Sequence, residues 1–152
     1  MKPLGLQEKT GFADSLIANQ PVSMLFSALL NRRLKELSEL PDNWDGEGAR
    51  TIRDSVLAEI KRMLRYLVQT TSDFSEPYLV PTFDGFVQAE WHGQKSSLEI
   101  EAIEDGWSVV GATVDLAGAK KYFNAQCGSG DFDRLKLFYE SHIGKQVLWP
   151  LL

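Results

Sequence analysis

Apolar residues recur at steps of three and four along two segments in the first half of the chain, which is the spacing of helices with one buried face. The first segment runs from about Met24 to Leu40 and ends at Pro41, because proline cannot continue a helix. The second follows Thr51 and Asp54, which together resemble a capping box. Its apolar stripe consists of Ile52, Val56, Leu57, Ile60, Met63, Leu64, Leu67 and Val68. The spacing predicts two helices that form an antiparallel hairpin across a loop of about ten residues.

Beyond position 77, apolar and polar residues alternate, which is the pattern of strands in a half-buried sheet. Asp84-Gly85 and Asp105-Gly106 have the composition of hairpin turns. The strands expected on this basis are Tyr78–Thr82, Val87–His92, Leu98–Ile103, Trp107–Val114 and Lys121–Ala125. The segment Cys127-Gly-Ser-Gly then interrupts the pattern, and Asp131 is expected to cap a last helix that runs to about Ser141.

The order of these elements predicts the fold class. Helices and strands that are kept apart along a chain, and do not alternate, are typical of α+β proteins. We predict an N-terminal helix hairpin packed on a four- to five-stranded antiparallel meander sheet, with a C-terminal helix. Residues 1–20 carry only weak apolar spacing and are expected to be a loose N-terminal arm, whereas residues 21–152 should form a single domain.

Counting outward from a turn at Gln94-Lys95 gives the register of the two central strands. Trp91 then lies opposite Leu98 on the core face, so that apolar residues meet apolar residues. The other face sets Glu90 directly across from Glu99 and Gln88 across from Glu101. Like charges in directly opposed positions destabilise a sheet by a few tenths to about 1 kcal/mol. The register therefore predicts an acidic patch that calls for a chemical explanation.

Three interpretations of this patch stand side by side. It can be the solvated outer face of a half-buried sheet, or an acidic docking surface for a basic partner protein. It can also be a cation or acid–base site built from Glu90, His92, Glu99 and Glu101, since carboxylate oxygens suit Mg²⁺ and an imidazole suits a transition metal. No dinucleotide fingerprint accompanies the patch, because Asp133 stands where the third glycine after Cys127 would be required. The sequence thus indicates no cofactor.

Charge is uneven along the 152 residues. Residues 1–70 hold ten Lys/Arg and nine Asp/Glu, and residues 71–152 hold six and twelve, so the halves carry +1 and −6. An acidic half argues against duplex DNA as a partner, because binding to the DNA backbone relies on neutralising phosphates. The single cysteine excludes an internal disulfide. With no membrane span or signal peptide in the pattern, we expect a cytoplasmic protein.

Two further segments are candidates for contact with partners. The loop LPDNWDGEGAR (residues 40–50) places Trp44, Asp45 and Glu47 close together. It is either a tight loop pinned by Trp44, with its acids bonded to main-chain amides, or a binding loop. The C-terminal stretch VLWPLL is too apolar to lie free in water, so Leu148, Trp149 and Leu151 should pack on their own domain or form a homodimer contact.

The segment LPDNWDGEGA, followed some 35 residues later by VPTFDGFVQAEW, resembles a pattern of small bacterial proteins with a WDGxGA loop and a PTxDGxVQxEW strand segment. This resemblance implies a bacterial or phage origin, as for mobile-element accessory genes, and brings no reaction with it. The leading hypothesis is a non-enzymatic, antitoxin-like or inhibitor-like regulator that docks a basic partner protein. Its contact residues would be Trp44, Asp45, Glu47, Gln88, Glu90, Glu99 and Glu101. The alternative is a metal-assisted hydrolase or nuclease built on Glu90, Glu99 and Glu101.

Overall fold

The computed structural model describes the backbone of residues 14–143 and the side chains of residues 26–143. Its elements in chain order are α1 (Asp14–Ser38), α2 (Asp54–Thr70), β1 (Tyr78–Pro81), β2 (Val87–His92), β3 (Ser96–Ile103), β4 (Gly106–Val114), β5 (Lys120–Gly128) and α3 (Phe132–His142). The chain divides into two units, of which the first ends at Arg33 and the second begins at Leu34. The sheet, α2 and α3 all belong to the second unit.

The five strands form one antiparallel meander in the order β1-β2-β3-β4-β5. α2 contacts β2 and β3, and α3 contacts β3 and β4, so both helices pack on the sheet. The α+β class is therefore confirmed. The pairing of α1 with α2 as a hairpin stays a prediction. Of the expected loose arm, residues 1–20, the part from position 14 belongs to α1, and residues 1–13 lie outside the described residues.

The register of β2 and β3 is the one that counting predicted. Trp91 pairs with Leu98, Glu90 with Glu99 and Gln88 with Glu101. Residues of these strands alternate between buried and half-buried, because one face packs on the helices. The inner face carries Val87, Ala89, Trp91, Leu98, Ile100 and Ala102, all at most 3% exposed.

The apolar stripe of α2 packs against this inner face as expected. Its buried residues are Val56, Leu57, Ile60, Met63, Leu64 and Leu67. α3 adds Leu135 and Tyr139, both fully buried. The Tyr139 hydroxyl donates a hydrogen bond to the carbonyl oxygen of Asp73 (3.1 Å) and accepts one from the Ser75 N–H (2.7 Å). These two bonds fix the segment that leads into β1.

Four element boundaries correct the expectations. α1 begins at Asp14, ten residues before the expected start at Met24. Thr51 does not cap α2, because its hydroxyl donates to Asp42 Oδ1 (2.7 Å), and Arg53 takes the N-cap position without a side-chain bond. β5 continues through Gly128, although the glycines after Cys127 suggested a break. Asp131 precedes α3, but its Oδ2 accepts the Gly128 N–H (2.9 Å) and makes no cap bond.

Candidate functional site

The outer face of the sheet bears the predicted acidic patch, hereafter the acidic face, defined by Gln88, Glu90, Glu99 and Glu101. All four are only half-buried, and they occupy neighbouring positions on β2 and β3. Neither α2 nor α3 covers them, since both helices pack against the other side of these strands. The β2–β3 register thus brings these four predicted residues together on one surface.

Hydrogen bonds between neighbours hold parts of the acidic face in place. Gln88 Nε2 donates to Glu99 Oε1 (3.2 Å), diagonally across the strand pair. His92 Nε2 lies 3.0 Å from Glu90 Oε1, and the Glu90 side chain is 20% exposed. The pKa of Glu101 is raised above its ordinary value, first by burial and then by the negative charges of Asp84 and Glu99. Folding therefore brings this carboxyl group into surroundings that disfavour its ionised form.

No Lys or Arg side chain of the first four strands balances these carboxylates. The sequences of β1, β2, β3 and β4 contain neither Lys nor Arg. Lys120 and Lys121 of β5 pair with Val114 and Thr113, at the end of the sheet near the β4–β5 turn, whereas Glu99 lies next to Val110. The acidic face therefore concentrates negative charge on the outer surface of the sheet. A positively charged partner would offset the repulsion between its carboxylates.

Apolar and aromatic groups border the acidic face. Tyr78 of β1 pairs with Glu90 and is 70% exposed, and Val110 of β4 pairs with Glu99 and is 38% exposed. A cavity of about 500 Å³ opens beside Tyr78, lined also by Glu76, Glu90 and His92. Carboxylates next to exposed aromatic surface can hold the head and the stem of a lysine or arginine side chain at once.

Polar side chains of the loop between α1 and α2 form hydrogen bonds with the main chain of the same loop. Asp45 Oδ1 accepts the N–H groups of Glu47 (2.8 Å) and Ala49 (3.0 Å), and these bonds lower the pKa of Asp45. The indole N–H of Trp44 donates to the carbonyl oxygen of Arg50 (3.3 Å). The prediction of a tight loop pinned by Trp44 is thus confirmed. Glu47 remains exposed on its surface, and a binding role for the loop stays a prediction.

This loop contacts the β1–β2 turn, a relationship that the strand and helix patterns did not predict. The Arg50 N–H donates to the carbonyl oxygen of Phe83 (3.0 Å). A Cβ atom on Gly85 would lie 2.9 Å from the carbonyl oxygen of Thr51, so the two main chains nearly touch there. Phe83, 54% exposed, lies beside this contact. The sequence linked the segments WDGEGA and PTFDGF only through the resemblance, which stays a prediction.

The metal hypothesis finds no support in this geometry. Within residues 26–143, no group of three or more His, Cys, Asp or Glu side chains is placed to hold a metal ion. His92 and Glu90 bond to each other, and Glu99 accepts from Gln88, so these side chains do not converge on a common point. Leu148, Trp149 and Leu151, the predicted oligomer contacts, lie outside the described residues.

Comparison with known proteins gives no assignment. No family model, curated protein or solved structure matches the chain. The resemblance to proteins with a WDGxGA loop therefore stays a prediction. Among the described helices, none is both long and apolar enough to cross a membrane.

Proposed function

We propose that the protein is a small cytoplasmic, non-enzymatic regulator, antitoxin-like or inhibitor-like and of bacterial or phage origin, that docks a basic surface of a partner protein on the acidic face. One observation carries this proposal: Glu90 and Glu99 oppose each other on a sheet face whose first four strands supply no Lys or Arg. Like charges in directly opposed positions destabilise a sheet, so this pair suggests a use beyond folding.

The surroundings of the acidic face support a protein partner over a small ion. Tyr78 and Val110 offer exposed apolar area at its border, and contact residues of protein interfaces are enriched in aromatic side chains and arginine. The cavity beside Tyr78 has room for one long basic side chain. The loop of Trp44, Asp45 and Glu47 would contribute a second, smaller contact, since hydrogen bonds within the loop favour its present conformation before binding.

Affinity capture from a lysate of the native host tests this proposal when three forms of the chain are compared. The wild type and the control Glu39→Gln/Glu140→Gln should retain the same basic protein, whereas Glu99→Gln/Glu101→Gln should lose it. All three forms have a comparable size. The two variants carry the same net charge and differ only in the positions from which two negative charges are removed. Retention should also fall steeply as salt is raised.

The proposal fails if the Glu99→Gln/Glu101→Gln variant retains the same proteins as the control. It also fails if the wild type captures nothing at low salt. A stability measurement on each variant shows that a lost partner does not reflect unfolding. Glu39 is an exposed residue just beyond α1, which makes it a suitable site for the control.

A further inference from the structure

The outer edge of β5 is a second candidate contact surface, independent of the acidic face. β5 is nine residues long and pairs with β4 on one side only, within the described part of the chain. The opposite edge strand, β1, has four residues and ends at Pro81, which lacks an N–H. A long edge strand presents a row of N–H and C=O groups to which another strand can pair.

The hydrogen bonds of the neighbouring turn show which groups of β5 point outward. The Asp115 N–H donates to the carbonyl oxygen of Ala119 (3.0 Å), so residues 119, 121, 123 and 125 direct their main-chain groups towards β4. Lys120, Tyr122 and Asn124 therefore direct theirs to the outside. None of these outward groups has a hydrogen-bond partner among residues 26–143.

α3 occupies the far end of this edge. Arg134 Nη1 donates to the carbonyl oxygen of Gln126 (3.0 Å), and Asp131 Oδ2 accepts the Gly128 N–H (2.9 Å). The Gly128 carbonyl oxygen also accepts the Asp131 N–H (3.1 Å), so three of the outward groups there are already satisfied. The part of the edge left for a partner is the stretch from Lys120 to Asn124.

We propose that β5 pairs with β5 of a second copy of this chain, antiparallel, about a two-fold axis through Tyr122. In this register Tyr122 faces Tyr122 of the second copy, and Lys120 faces Asn124. The outward N–H and C=O groups of all three residues then bond to the second copy, giving about six main-chain hydrogen bonds. The two sheets would join into one continuous sheet.

The charges along β5 favour a second copy in this orientation. The chain as a whole carries a charge of −5, but β5 contains two lysines and no acid. Two copies that meet along β5 therefore do not bring their carboxylates on β2 and β3 together. Antiparallel pairing sets Lys121 opposite Phe123 of the second copy, where an ammonium group and an aromatic ring attract each other. Parallel pairing would bring the lysines of both copies together, at a cost in stability.

The joined sheet would carry both acidic faces on the same side. A two-fold axis perpendicular to the sheet leaves each outer face pointing in its original direction. A partner with two basic patches could then bind both copies at once and gain from multivalency. The dimer itself rests on the β5 edge alone, and it stands whether or not the acidic face binds a basic protein.

Sedimentation equilibrium of the full 152-residue chain tests the dimer, and two tyrosines with equal exposure supply a matched pair of variants. Tyr122 on β5 is 71% exposed and Tyr78 on β1 is 70% exposed. Tyr122→Lys places like charges across the proposed axis and should raise the dissociation constant of the dimer about ten-fold or more. Tyr78→Lys should leave that constant unchanged. Asn124→Pro removes an outward N–H from each copy, which an edge strand tolerates, and should also weaken the dimer.

Three results would overturn the inference. The wild type could remain a monomer up to about 200 µM, a concentration at which a useful dimer would form. The dimer could persist unchanged in both Tyr122→Lys and Asn124→Pro, with folding verified by circular dichroism. Or it could be lost on Trp149→Ala and not in the β5 variants, in which case the C-terminal tail, and not β5, would hold the copies together.

Discussion

The main-chain N–H of Arg50 donates a hydrogen bond of 3.0 Å to the carbonyl oxygen of Phe83, and this bond fastens the interhelix loop to the β1–β2 turn. The two segments lie more than 30 positions apart in the sequence and share no local pattern. Their contact brings the segments WDGEGA and PTFDGF together in the folded chain. Each segment is the surface on which the other packs.

Gly85 is the residue in this contact that tolerates the least change. Its φ of +88° is left-handed, and a Cβ atom there would lie 2.9 Å from the Thr51 carbonyl oxygen. Gly118 has a similar φ of +85°, but no atom lies within 4 Å of such a Cβ. Comparing alanine substitutions at the two positions therefore distinguishes the cost of backbone strain from the cost of crowding. We expect Gly118→Ala to cost about 1–2 kcal/mol and Gly85→Ala about 2–4 kcal/mol in free energy of unfolding, measured in urea. Equal costs for the two substitutions would mean that the interhelix loop moves away from the new methyl group at position 85 without loss of stability.

The sequence predicted the register of β2 and β3 because strand period and burial act together. Trp91 and Leu98 both belong to the inner face, and a slip of one residue would turn Trp91 to the outside. The same argument placed Glu90 across from Glu99 without any knowledge of the helices. The acidic face could therefore be predicted from the alternation and one turn.

Contacts between distant segments could not be predicted in this way. Thr51 and Asp54 have the spacing of a capping box, yet Thr51 bonds to Asp42, nine positions earlier, because the loop folds back on itself. Nothing local to Phe83 or Gly85 indicates that the β1–β2 turn meets the loop. β5 exceeds its expected length because Cys127 packs against the core, 6% exposed, and keeps the strand paired up to Gly128.

Glu99→Gln should stabilise the free protein. The substitution removes the charge that opposes Glu90 and keeps an oxygen that can accept the bond from Gln88. We expect a gain of a few tenths to about 1 kcal/mol in the free energy of unfolding at neutral pH and low salt. Because salt screens surface charges, the gain should shrink as ionic strength rises. Glu39→Gln serves as the control and should change little. A loss of stability in Glu99→Gln would show that Glu99 makes a favourable charge contact.

Replacing Glu101 should change how the stability of the protein depends on pH. Its pKa is raised in the folded state, so its contribution is fully present below the ordinary pKa of a glutamate and is lost as pH rises through the folded pKa. Glu101→Gln stays neutral throughout and avoids this loss. The stability of the variant relative to the wild type should therefore increase from acidic to neutral pH, as followed by thermal unfolding.

Asp42 should affect the pH dependence of stability in the opposite direction to Glu101, because its pKa is lowered and not raised. The Thr51 hydroxyl and N–H bond to its carboxylate and lower its pKa. Its contribution is present above the ordinary pKa of an aspartate and is lost as pH falls through the folded pKa. Asp42→Asn should thus be less stable than the wild type at neutral pH, and the difference should narrow in acid. The prediction for Glu101 is contradicted if both variants show the same slope with pH.

Gly111 is the last position for which the structure makes a sharp prediction. The Phe123 ring lies over this glycine, and a Cβ atom would come within 2.0 Å of the ring. The ring cannot easily retreat, because it stacks on Phe138 with centroids 5.2 Å apart and lies 4.4 Å from the His142 ring. Gly111→Ala should therefore cost about 1–3 kcal/mol in free energy of unfolding.

Two comparisons decide whether crowding by the ring is the cause of that cost. Gly130→Ala adds the same methyl group where no atom lies within 4 Å, and it should change stability by less than about 0.5 kcal/mol. In a double-mutant cycle, Gly111→Ala should cost much less when Phe123→Leu is already present, because the smaller side chain leaves room for the methyl group. An unchanged cost in that background would assign the loss of stability to the β4 backbone and not to the Phe123 ring.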